Sequence, residues 1–93
     1  MTYRLEFVPA AFKEWEKLGH TLREQLKKKL RQRLEAPRVA GDALAGMPDH
    51  YKIKLKSAGY RLVYRVEDDR VVVTIVAIGK RSRSEVYDAA KLR

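Results

Sequence analysis

Residues 51–66 read YKIKLKSAGYRLVYRV. Tyr51, Ile53 and Leu55 alternate with Lys52, Lys54 and Lys56. Tyr60, Leu62, Tyr64 and Val66 then alternate with Arg61, Val63 and Arg65. Period two marks a pair of strands, each with one face apolar. Ser57-Ala58-Gly59 supplies a hairpin turn between them. The other face gathers five cations and no acid. Like charges on facing strands repel, so a solvated face with mixed signs would serve the free protein better. An anion that gains charge during a reaction would reward such crowding. Crowded cations favour the neutral amine of a lysine, which can then accept a proton. Fixed arginines can stabilise a pentavalent phosphorane, more negative than the diester it comes from. RNA brings its own nucleophile, the 2′-hydroxyl. DNA lacks it, so the same face could bind DNA but not cut it by this route. A metal-free, histidine-poor ribonuclease is therefore chemically open to this chain.

With the turn at 57–59, Arg61 is expected opposite Lys54 or Lys56. Arg81 leaves the end of the following strand. Lys52, Lys54, Arg61 and Arg81 then converge on one concave patch, with the helices on the opposite face. The helix cations Lys27, Lys28, Lys29, Arg31 and Arg33 read first as a solvated face, although together they could grip an RNA backbone.

Other chemistries find little support. His20 and His50 are the two histidines, and neither has a partner at metal-ligand spacing. There are no cysteines, which excludes thiol nucleophiles and thiolate metal sites. Their absence fits a reducing, cytoplasmic compartment. Asp68-Asp69 sits where a turn wants acids. Glu6, Glu14, Glu16, Glu24 and Glu35 read as solvated positions. Gly59 and Gly79 are isolated, so no phosphate-cradling loop is present. No cofactor is expected.

The elements that must position the basic face follow from the same rules. The chain has 93 residues, enough for a single domain spanning 1–93. Lys and Arg number 21 against 12 Asp and Glu, a net charge of +9 that favours a polyanionic partner. No apolar run approaches a spanning helix, and the amino terminus lacks a signal-peptide layout. Tyr3, Leu5 and Phe7 mark a short strand, ended by Pro9, which can open a helix. Phe12, Trp15 and Leu18 continue that helix to Gly19. Thr21-Leu22-Arg23-Glu24 reads as a capping box for a second helix, whose Leu22, Leu26, Leu30 and Leu34 form one stripe up to Pro37. A loop over 37–49 pins Leu44 and Met47. Glu67-Asp68-Asp69 makes a second turn. Val71 to Ile78 is nearly all apolar, as a central strand covered on both faces would be, and Gly79 is expected to break it. Lys80-Arg81-Ser82-Arg83 is a basic loop, and Ser82 with Glu85 could cap a last helix holding Val86, Tyr87, Ala89, Ala90 and Leu92. The order is β-α-α-β-β-β-α. It describes an α+β fold with a helical hairpin on a small, mainly antiparallel four-stranded sheet.

Three segments, FKEWEKLGHTLREQLKKKLRQRLEAPR, GMPDHYKIKLKSAGYRLVYRV and VVVTIVAIGKRSRSEVY, closely resemble the RelE toxins of bacterial toxin–antitoxin systems. The resemblance runs from Tyr3 to about Ala90. It implies a microbial-ribonuclease-like fold and metal-free cleavage of messenger RNA in the ribosomal A site. It implies a RelB-type antitoxin that wraps the toxin, contacts to the 70S ribosome and its rRNA, and operator DNA reached only through the antitoxin complex. The family's active-site positions fall here on Lys52, Lys54, Arg61, Arg81 and Tyr87. Lys52 or Lys54 would accept the proton, Arg61 bind the scissile phosphate, Arg81 stabilise the transition state, and Tyr87 orient or stack a base. Lys56, Arg65, Lys80, Arg83, Lys27 and Lys28 would grip ribosomal RNA. Ala45 stands where relatives often carry a basic residue, and the last helix is short. A ParE-like toxin without catalysis and a basic nucleic-acid-binding regulator are the alternatives. The first would lack the basic catalytic set, and the second would need a base-reading helix that does not stand out.

Overall fold

Residues 2–80 and 85–93 are described by the structure, a computed structural model. The elements are β1 (Arg4–Phe7), α1 (Pro9–Glu16), α2 (His20–Glu35), β2 (His50–Leu55), β3 (Tyr60–Glu67), β4 (Val72–Lys80) and α3 (Glu85–Leu92), with a short 3-10 turn at Ala40–Asp42. The sheet order is β1-β4-β3-β2. β1 runs parallel to β4, and the other two pairings are antiparallel. This is the expected α+β order, with β4 central.

Each helix forms where its apolar spacing gives it something to bury. Pro9 opens α1, where its missing amide costs nothing. α2 lays Leu26 and Leu30 against the sheet, each at most 2% exposed. Truncating either to Ala would cost about 2–5 kcal/mol. The start of α2 corrects the capping box. Gly19 is the N-cap, no side chain caps the helix, and Thr21 already lies in the first turn. The tight joint after Leu18 leaves the chain no residues in which to place Thr21 outside the helix. α1 also ends earlier than its aromatic spacing suggests, so Leu18 is buried in the joint and Phe12 is 46% exposed.

Two apolar clusters sandwich the sheet. On one face Ile53, Leu62, Tyr64, Val73 and Ile75 meet Ala11, Leu26 and Leu30. On the other, Val63, Val76 and Ala77 meet Val86 and Ala90 of α3, with Met47 from the preceding loop. The helices therefore do not all lie opposite the cations. α1 and α2 do, but α3 packs on part of the basic face, because β4 is apolar on both sides and both must be covered. A bulge between Val63 and Tyr64 shifts the β3–β4 register and leaves Val76 as the extra residue.

Gly79 does not break β4, which runs on to Lys80 with Gly79 paired to Arg61. The hairpin turn lies where the sequence puts it, after Leu55 and before Tyr60, with Gly59 at φ 68°. Such a conformation suits glycine.

Candidate active site

β2 and β3 set the basic face by register. Lys54 pairs with Arg61, and Lys52 pairs with Val63. Arg61 pairs in turn with Gly79 of β4. One row across three strands thus reads cation, cation, glycine. A Cβ at Gly79 would come within 3.6 Å of the Val86 Cβ, so α3 closes directly over this end of the row. Tyr87 on α3 is half-buried and packs against the Val63–Ala77 cluster. The face therefore has a floor of strands, a wall of helix, and Lys52, Lys54 and Arg61 half-buried between water and sheet.

Among the described residues no carboxylate lies within ion-pair distance of Lys52, Lys54 or Arg61. Arg61 makes one long contact, from Nη1 to the Tyr60 carbonyl at 3.4 Å. Arg65 differs. It shares the alternation of Arg61, but its guanidinium is 3.7 Å from Glu67, two residues on. Among the described residues, the face is free of acid at its Lys54 end and not at its Arg65 end.

The supporting cations are spread more widely. Lys56 sits exposed in the hairpin turn, and Lys80 is exposed at the end of β4 beside its partner Tyr60. Lys28 and Lys29 of α2 line an open groove of about 630 Å³ with Gln25, Gln32, Lys54 and Lys56. The groove passes the edge of β2, so Lys54 belongs to both the face and the groove. Lys27 looks elsewhere. It is 3.1 Å from Glu24 and lines an apolar hollow with Leu5, Phe7, Trp15 and Leu30. Arg81 and Arg83, with the proposed Ser82 cap, lie outside the described residues. Also among the described residues, no group of three His, Asp or Glu side chains is arranged to hold a metal ion.

Arg33 and Glu14, solvated charges by spacing alone, are instead tied into the fold. Arg33 donates to Asp42 Oδ2 at 2.6 Å, to the Tyr64 hydroxyl at 2.9 Å and to the Lys52 carbonyl at 3.2 Å. Burial pulls its pKa down, but Tyr64 and Asp42 more than compensate and hold it above the usual value. It thereby ties the backbone of the Lys52 strand to α2. The spacing held a clue: 26, 30 and 33 share one helix face, so Arg33 occupies a position that continues the buried stripe. Glu14 is half-buried and accepts the Ile78 amide at 3.0 Å, a contact without a local sequence signal.

A model of the ParE toxin of type II toxin–antitoxin systems, parDE, matches residues 5–85. The mRNA interferase toxin RelE of Escherichia coli K12 is 60% identical over 93 residues, covering 100% of this chain and 98% of that protein. The chain belongs to the RelE/ParE toxin family. Solved structures of RelE agree in shape. A doubly substituted E. coli RelE in the free state superposes with a TM-score of 0.93 at 58% identity, covering 100% of this chain and 98% of that one. The same variant with a RelBc antitoxin peptide gives 0.84 at 59% identity, over 97% and 95%.

Proposed function

We propose that this RelE/ParE family member is a ribonuclease toxin that cuts messenger RNA in the ribosomal A site without a metal and is neutralised by a RelB-type antitoxin. The observation that carries this reading is the row of Lys54 and Arg61, with Lys52 beside it and no acid partner among the described residues, on a face flanked by α3. Free cations held on rigid strands suit a phosphate whose charge grows during the reaction.

In this reading one of Lys52 and Lys54 takes the proton from the 2′-hydroxyl, and the other supports it electrostatically. The 2′-oxygen forms a bond to phosphorus as the bond to the 5′-oxygen breaks. Arg61 holds the phosphate, and Arg81 donates hydrogen bonds to the phosphorane and the departing oxygen. A guanidinium keeps its proton in proteins, so the 5′-oxygen takes its proton from solvent. The products are a 2′,3′-cyclic phosphate, or the 3′-phosphate it hydrolyses to, and a 5′-hydroxyl. Tyr87 orients or stacks an A-site base. Lys28, Lys56 and Lys80, with Arg83, meet ribosomal RNA, and the groove along β2 gives a backbone a path past Lys54. Lys27 and Arg65, each near a carboxylate, contribute less. The site of action is the cytoplasm, where translating ribosomes are, and operator DNA is met only through the antitoxin complex.

The test is the purified chain with ribosomes programmed with a defined A-site codon. A cut message bearing a cyclic or 3′-phosphate is expected. A message that stays whole, or is cut only without ribosomes, overturns the mechanism. The first of those outcomes is what a ParE-like toxin without catalysis would give.

A further inference from the structure

β1 ends at Phe7, opposite Ile75, so the outer edge of β4 runs on past its neighbour. The Val8 amide still reaches the Ile75 carbonyl at 3.0 Å. Beyond it, two side chains complete the edge. Glu14 Oε1 on α1 accepts the Ile78 amide at 3.0 Å, and Arg93 Nη1, just past α3, donates to the Val76 carbonyl at 2.9 Å. The two also bind each other, Nη1 to Oε1 at 2.8 Å and Nη2 to Oε2 at 3.3 Å. A carboxylate serves the amide and a guanidinium serves the carbonyl, so the polarity of the pair matches that of the strand edge. Unpaired backbone groups there would carry a free-energy cost.

This one carboxylate ties β4 to α3. It fixes β4 through Ile78 and α3 through Arg93. α3 carries Tyr87. α3 has eight residues, fewer than an isolated helix needs to persist in water. Its seat on the sheet rests on Val86 and Ala90, and Arg93 adds the polar tie at its far end.

We propose that the Glu14–Arg93 pair is a positioning clasp for the active site, fixing α3 and its Tyr87 relative to Lys52, Lys54 and Arg61 without touching RNA. The proposal rests on the nuclease reading above. Positioning is expensive to lose: a displacement of about 1 Å can cost a hundredfold in rate.

The experiment combines hydrogen exchange with single-turnover cleavage on programmed ribosomes. Arg93→Ala leaves Glu14 on the Ile78 amide, so that amide stays capped and only the Val76 carbonyl loses its partner. Exchange is expected to rise about tenfold or more across α3 while the β3 and β4 amides stay protected. The maximal cleavage rate is expected to fall about 10- to 100-fold, with the half-saturating ribosome concentration unchanged. Arg93→Lys should recover part of the rate. The swapped pair Glu14→Arg with Arg93→Glu should not, because it sets donor against amide and acceptor against carbonyl. The clasp is overturned by an unchanged rate, by unchanged exchange in α3, or by a loss confined to half-saturation. It is equally overturned by full rescue from the swap, or by a urea midpoint shift large enough to explain the lost activity. Failure of the unsubstituted chain to cut would sink the nuclease reading instead, while the exchange data still report whether Arg93 holds α3.

Discussion

Two sets of cations in this molecule are built in opposite ways. Where α2, the loop after it and the β3–β4 turn meet, Arg33, Arg38 and Arg70 each have acids. Arg33 reaches Asp42 at 2.6 Å, Arg38 reaches Asp49 at 2.9 Å and Asp68 at 2.7 Å, and Arg70 reaches Glu6 and Glu67 at 3.2 and 3.1 Å. On the β2–β3 face Lys52, Lys54 and Arg61 have none among the described residues. The first set ties loops and helix to the sheet. Arg38 shows how: it also touches the Tyr51 hydroxyl, and so joins the loop after α2 to β2 and to the far turn. Among the described residues the second set has no acid to hold. Charge that stabilises a fold is paired within it, whereas charge kept for a ligand is left open on a stiff support.

Removing both lysines should separate the two sets most sharply. Lys52→Ala with Lys54→Ala is expected to lower single-turnover cleavage by about 10²–10⁴, the usual worth of a proton acceptor. The melting temperature should hold or rise, since like charges have been taken away. Taken singly, the variant that lacks the base is expected to lose the greater part of the cleavage rate, which tells the two lysines apart. Arg61→Ala is the next largest effect. Loss of one transition-state donor predicts about a hundredfold slower cleavage, again with stability intact, and the same holds for Arg81→Ala. A cleavage rate unchanged in Arg61→Ala would break the comparison from the active side. Arg33→Met probes the other side. It strands the Asp42 carboxylate and removes a donor from Tyr64, so a loss of about 1–3 kcal/mol in urea unfolding is expected. A variant as stable as the parent would mean that the paired set holds nothing.

The basic face was legible because strands report their faces by simple alternation. Lys52, Lys54 and Arg61 could be assigned to one side from spacing, and the register confirms Lys54 opposite Arg61. Their division into chemistry and grip came from family likeness, because alternation treats Lys54 and Arg65 alike. The structure adds a physical distinction, the Glu67 beside Arg65. What was not legible depends on contacts distant in sequence. Nothing local says that α3 folds onto the basic face, that Glu14 meets Arg93, or that Val76 forms a bulge. Gly79 misled because a glycine in a strand looks like a stop. Here it is a paired position over which a helix closes.

The weakest expected effect concerns pH. Asp68 accepts the Tyr3 hydroxyl at 2.7 Å and two Arg38 donors at 3.1 and 2.7 Å. The Tyr3 hydrogen bond first, and Arg38 second, hold its carboxyl below the usual carboxylate range. A lowered folded pKa gives stability that is present above the unfolded value, about 3.9, and is lost as pH falls through the folded one. Asp68→Asn should therefore lower the melting temperature slightly at neutral pH and narrow that deficit as pH falls from about 5 to 2. Because Asp68 is exposed, the difference should shrink further in high salt. Lys52→Ala should track the parent over the same acid range, since among the described residues no carboxylate lies within ion-pair distance of Lys52. If Lys52→Ala instead altered the acid limb as Asp68→Asn does, the open face would be holding an acid of its own, and the contrast between the two sets of cations would fail.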